Sequence, residues 1–161
     1  MVWMEFENAE YSMSSKDLTL FLIYQMVDKW CYIAETKIQK LLYMIYWLYL
    51  FEKQKTIIND EKPHARPYWP VFPKIRKIFK DRSYAIQMSH KYPIENIKDD
   101  SLKTIIEKVV DKFWNCSSSQ LVEWSHMNNS PRTQTKNSPF FDWNDRIEDE
   151  LTYNYFNELS K

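Results

Sequence analysis

The sequence predicts a mainly α-helical, single compact domain of five to six helices, with one short β-hairpin or extended segment around residues 55–73. Three observations carry this expectation. Apolar residues recur at intervals of three and four in well separated segments, the pattern of helices with one buried face. The chain has 161 residues, which suits one domain rather than two, since domains cluster near ~100 to 150 residues. Hydrophobic residues make up 44% and include 9 Phe, 7 Trp and 11 Tyr, enough to build a core and far from the composition of a disordered chain.

The elements follow in order. Ser14 and Ser15 offer a serine cap to a first helix running from Lys16 to Lys29, where Leu18, Phe21, Leu22, Met26 and, one turn on, Trp30 share a spacing. A second helix is expected from about Glu35 to Glu52. Its first half carries one stripe (Ile38, Leu41, Leu42, Ile45), and its second half is apolar on all sides, as in a helix at the centre of a core.

After Gln54, Thr56 to Asp60 reads as extended, and Pro63, Pro67, Pro70 and Pro73 then forbid a helix, because each ring removes a donor and restricts the residue before it. Lys74 to Lys80 resumes as a short helix with Ile75, Ile78 and Phe79 inward. Asp100 or Ser101 opens the next, through Leu102, Ile105, Ile106, Val109, Val110 and Phe113. Ser117 to Gln120 has the form of a capping box ahead of Leu121 to His126. Residues 128–139 read as a polar loop. Asp142 then caps a last helix with Ile147, Leu151 and Tyr155 on one face.

Glycine is absent altogether, where average usage would give roughly 11. Phosphate-cradling loops built on glycine, both the dinucleotide fingerprint and the P-loop, are thereby excluded. Asparagine tolerates the left-handed conformation that glycine usually supplies, so Asn59, Asn115, Asn128, Asn129 and Asn137 are expected to serve at turns. Lys plus Arg equals Asp plus Glu at 22 each, which argues against a nucleic-acid surface, since that needs a cationic excess.

Met1 to Glu7 shows no basic start followed by an apolar stretch, so no signal peptide is expected. The longest apolar run, Leu41 to Phe51, covers 11 residues, short of the ~18 needed to span a membrane. Cys31 and Cys116 form no CxxC pair and are expected as reduced thiols in a cytoplasmic protein.

Catalytic chemistry finds little support. There is no HExxH, and His64, His90 and His126 are dispersed, so neither metal nor cofactor is expected. Cys116 and His126 could be drawn as nucleophile and base. The stronger reading makes Cys116 a small residue closing one helix and His126 a cation at the end of the next. Glu148, Asp149 and Glu150 suit the positive end of the last helix and are expected to be solvated.

Charge is balanced in total but not in place. Lys62 to Lys91 holds eight Lys or Arg against Asp81 alone, while Asp142 to Glu158 holds six acids against Arg146. This suits steering toward a protein with complementary patches, and equally two ordinary solvated helix faces.

Lys37 to Tyr43, with Gln39-Lys40-Leu41-Leu42-Tyr43, resembles the L-Q-K-L-L-Y signature of the Panacea antitoxin domain family, which includes SocA-like proteolytic adaptors and phage-associated GepA-like proteins. Ala65 to Pro73 resembles the family's A-x-x-Y-G-P-V-x-P. Leu121 to His126 followed by Ser130-Pro131 is similar to its L-x-x-L-[ST]-H with a downstream S-P-W, and Ile147 to Phe156 to its closing I-x-x-x-x-I-x-x-Y-F. The resemblance runs from about residue 17 to 156, within one Panacea-like domain over 1–161.

Two departures stand out. Trp69 replaces the family glycine, and Arg132 replaces the tryptophan after Ser130-Pro131. Trp69 then either makes contact with a partner or fills space vacated where Arg132 replaces a tryptophan. The resemblance implies a non-enzymatic protein-binding module, an antitoxin that neutralises a toxin by docking or by delivering it to a protease. The alternatives are a phage or mobile-element inhibitor of host defence on the same scaffold, or a hydrolase using Cys116 and His126. The expected partner surface comprises Tyr68, Trp69, Pro70, Phe72, Arg76 and Lys77, on a proline-stiffened loop and the adjoining basic helix.

Overall fold

The structure, a computed structural model, describes residues 5–67, 69–116, 130–137 and 145–159. The expected mainly α domain is present, assembled around α2 (Glu35–Lys53). Its side chains are buried on every side from Ile38 to Tyr46, and again at Tyr49 and Leu50. α2 packs against α1 (Ser15–Val27), α5 (Asp100–Phe113) and the last helix, α7 (Asp149–Leu159). The stripes predicted for α1 and α5 do face this core: Leu18, Leu22 and Met26 on one, Leu102, Ile105, Ile106, Val109 and Val110 on the other.

Local chemistry sets the helix starts. Asp17 N–H donates to Ser14 Oγ at 3.1 Å, and Leu102 N–H to Asp99 Oδ1 at 3.1 Å, so each cap satisfies an otherwise orphaned donor. α2 ends at Gln54, whose left-handed backbone (φ 56°) returns its N–H to Leu50 O at 2.8 Å. The left-handed positions among the described residues are Gln54 and Trp30 (φ 55°), not Asn59, Asn115 or Asn137; Asn128 and Asn129 lie outside the described residues. Trp30 also leaves the face of α1 on which it was expected. It sits on the turn after the helix and is 98% exposed.

The extended segment pairs with a partner that the sequence did not reveal. β1 (Asn8–Met13) runs parallel to β2 (Thr56–Ile58), and the two are joined through α1 and α2 as a parallel pair requires. Beyond β2, His64 and Val71 exchange both backbone hydrogen bonds at 2.7 and 3.0 Å, closing the proline-rich loop on itself. On the other side, Ala65 N–H donates to Asp145 O and Ile147 N–H to Pro63 O.

Other expectations are corrected. The short basic helix α3 spans Ile75–Ile78, and an unexpected α4 (Arg82–Ser89) follows, capped where Tyr84 N–H donates to Asp81 Oδ1. Within the expected polar loop, α6 (Pro131–Lys136) forms because Ser130 Oγ caps it and Pro131 supplies a helical φ at its first turn. Ile147 is buried but precedes α7, because residues 145–147 are held extended against 63–65. Asp142 and the block 117–126 lie outside the described residues. Among the described residues no helix is long and apolar enough to cross a membrane.

Candidate partner-binding surface

The loop from residue 64 to 73 carries Pro67, Pro70 and Pro73, and among its described residues it is held from three places. Gln39, wholly buried on α2, acts as a strand substitute: Phe72 N–H donates to Gln39 Oε1 at 2.8 Å, and Gln39 Nε2 donates to Phe72 O at 3.1 Å. Next to it on α2, Lys40 is 5% exposed and lays its Nζ 4.6 Å from the centre of the Trp69 ring. Such a cation–π contact contributes about 0.5–2 kcal/mol. Burial holds the Lys40 ammonium below its ordinary pKa. From α6, Arg132 Nε donates to Arg66 O at 3.0 Å and its Nη2 to Pro67 O at 2.5 Å. This guanidinium is also buried, which lowers its pKa. The loop is therefore gripped at both ends and stacked in the middle.

The expected surface residues divide accordingly. Trp69 is half-buried beside Lys40, and Arg132, rather than vacating space, uses its fork to hold two carbonyls. Phe72 is fully buried and meets Tyr46 edge-to-face with centroids 5.6 Å apart, so as an exposed anchor it is corrected to a core residue. Pro70 is likewise buried. Arg76 and Lys77 are exposed on α3, with Arg76 Nε 3.6 Å from Glu35 Oε1. Tyr68 lies outside the described residues.

Under the loop, the acidic cluster departs from its expected solvation. Asp149 is 4% exposed and accepts hydrogen bonds from Tyr46 Oη and Lys62 Nζ, which ties the basic segment to the acidic one. Burial first, and the Asp149 carboxylate second, push the Tyr46 phenol well above its ordinary pKa. Glu148 pairs with Arg146 at 3.5 Å instead. In the sequence Gln39 and Lys40 stand out only as part of the family signature, and Asp149 only as part of an acidic cluster expected to be solvated. Cys31 and Cys116 are free and half-buried; Cys116 Sγ leans on Lys112 O at 4.0 Å, and its suggested partner His126 lies outside the described residues.

The family model for the antitoxin SocA-like Panacea domain matches residues 38–131. The chain belongs to that family. No curated protein and no solved structure matches it. In this Panacea domain the match opens at the turn of α2 that carries Gln39 and Lys40, spans the loop that they hold, and closes at the first residue of α6, one before Arg132. The family gives the chain a toxin–antitoxin-type role in general, with a protein as its partner.

Proposed function

We propose that this Panacea domain is an antitoxin that neutralises its toxin by direct docking, as a binding protein rather than an enzyme, and that the loop around Trp69 and the cations of α3 form part of the docking surface. The observation that carries the proposal is the bracing of the loop. Gln39, Lys40 and Arg132 fix it before any partner arrives, so little conformational entropy is lost on binding. Trp69, half-exposed on that rigid loop, is of the residue type most enriched at binding hot spots. Arg76 and Lys77 stand exposed on α3, which follows the loop in a segment rich in cations, where charge speeds encounter with an acidic surface.

The test is co-expression with the gene adjacent on the chromosome, scored for growth rescue and for co-purification, in hosts with and without their cytoplasmic proteases. Docking predicts rescue in both hosts and a stoichiometric complex. Rescue confined to the protease-competent host would replace docking with delivery to a protease, and failure of rescue in both would overturn the antitoxin reading.

A further inference from the structure

A cavity of about 430 Å³ opens between the first turn of α1, α3 and α4, a size within the ~300–1,000 Å³ range of sites that enclose a ligand. Its inner lining is apolar: Leu20 is fully buried, and Ile78 and Met88 are half-buried around it. Tyr84, 51% exposed, forms one edge. Such an apolar recess favours a hydrophobic side chain over a phosphate backbone.

The charged rim is predominantly basic. Lys16, Lys74 and Lys77 stand around the opening, and the single acid there, Asp60, is already engaged. It accepts from Ser15 N–H at 2.9 Å and lies 3.5 Å from Lys74 Nζ. Lys16 and Lys77 form no ion pair among the described residues. The groove is also continuous with the surface described above, since α3 supplies Lys77 and Ile78 to it and Arg76 beside it.

We propose that this groove receives one large apolar side chain from an acidic segment of the partner protein, with Lys16 and Lys77 pairing with the flanking carboxylates. This rests on the reading of the chain as a protein-binding antitoxin, and it adds where on the toxin to look: a segment rich in Asp and Glu around a Leu, Met or aromatic residue.

The test is selection of a random twelve-residue peptide library displayed on phage against the immobilised full-length chain, repeated on Lys77→Glu and Tyr84→Ala variants. Both positions are exposed, and unchanged thermal melts will show that both variants fold. The proposal expects enrichment of peptides with an excess of acids around one large apolar residue. A representative synthetic peptide should lose at least tenfold in affinity on Lys77→Glu and several-fold on Tyr84→Ala. Enrichment without acidic bias, no enrichment, or equal affinity for wild type and both variants would overturn it. So would comparable, Lys77-dependent binding of a labelled random-sequence DNA duplex, which would make the groove a phosphate surface. Failure of the antitoxin reading itself appears separately, as absent growth rescue while the acidic peptides still bind.

Discussion

Gln39 and Phe72, 33 residues apart, are joined by two buried hydrogen bonds in which one side-chain amide satisfies both backbone groups of one loop residue. The pair resembles one rung of a sheet, with a helix side chain in place of a neighbouring strand. It explains why this polar residue is buried on α2: without Gln39 the Phe72 N–H would be stranded in the core, and the Phe72 C=O would keep only the Ile75 N–H at 3.1 Å.

Replacing Gln39 by alanine should therefore destabilise the fold by about 2–4 kcal/mol, the combined cost of leaving the buried Phe72 N–H unsatisfied and losing a second hydrogen bond to the Phe72 C=O. Urea denaturation measures this directly. A loss below about 0.5 kcal/mol would mean that the amide is dispensable.

Arg132→Lys removes the planar fork while keeping the charge, and a single ammonium cannot reach the Arg66 and Pro67 carbonyls with the same geometry. The expected cost is about 1–3 kcal/mol, with hydrogen exchange at the His64 and Val71 amides at least tenfold faster because the loop loosens. Unchanged exchange at those amides would show that the loop is held by its own bridge alone.

Tyr46 sets a pH dependence whose sign is fixed. Its folded pKa lies above the ordinary tyrosine value, so above about pH 10 the unfolded chain gives up this proton while the folded one retains it. The stabilisation is complete below pH 10 and is lost as pH rises further, by up to about 1.4 kcal/mol per pH unit for this one group. Lys40, shifted downward, acts in the opposite sense below its usual value, so the clean measurement is a difference. Urea denaturation of wild type and Tyr46→Phe between pH 9 and 11.5 should give a steeper alkaline decline for wild type. Parallel curves would place the Tyr46 phenol in contact with solvent.

Trp30 and Gln54 adopt a backbone conformation in which a Cβ costs about 1–2 kcal/mol. Trp30→Gly and Gln54→Gly should each stabilise the protein by about 0.5–1 kcal/mol, the gain being reduced by the freer unfolded chain. Calorimetry would register this as a higher Tm. A lower Tm for Trp30→Gly would show that the 98% exposed indole contributes contacts to folding.

How far the sequence foretold the fold depended on whether burial was local or distant. α1, α2 and α5 were legible because their buried residues repeat along their own helices. β1 was not, because of its six residues only Ala9 is fully buried and no alternation marks it. α4 buries only Ala85 and Ser89, and α6 is polar throughout yet buried where Arg132 reaches the loop. At the candidate surface, the proline spacing and the family resemblance located the loop. They did not foretell that Phe72 turns inward, because that follows from Gln39 on another element. Nor did they foretell that Asp149 is buried, because its partner Lys62 lies 87 residues away.

The most direct test of the proposed docking is the dissociation constant of the purified product of the adjacent gene, the toxin under that proposal, for the wild-type chain and for the Arg76→Glu/Lys77→Glu double variant, with melts measured alongside. Both side chains are exposed, and one surface pair with Glu35 is all that the exchange breaks among the described ion pairs, so Tm should move by no more than ~2 °C. The account predicts binding at least tenfold weaker with the fold intact. Equal affinity of the wild type and the double variant would contradict it and remove the basic helix from the partner surface.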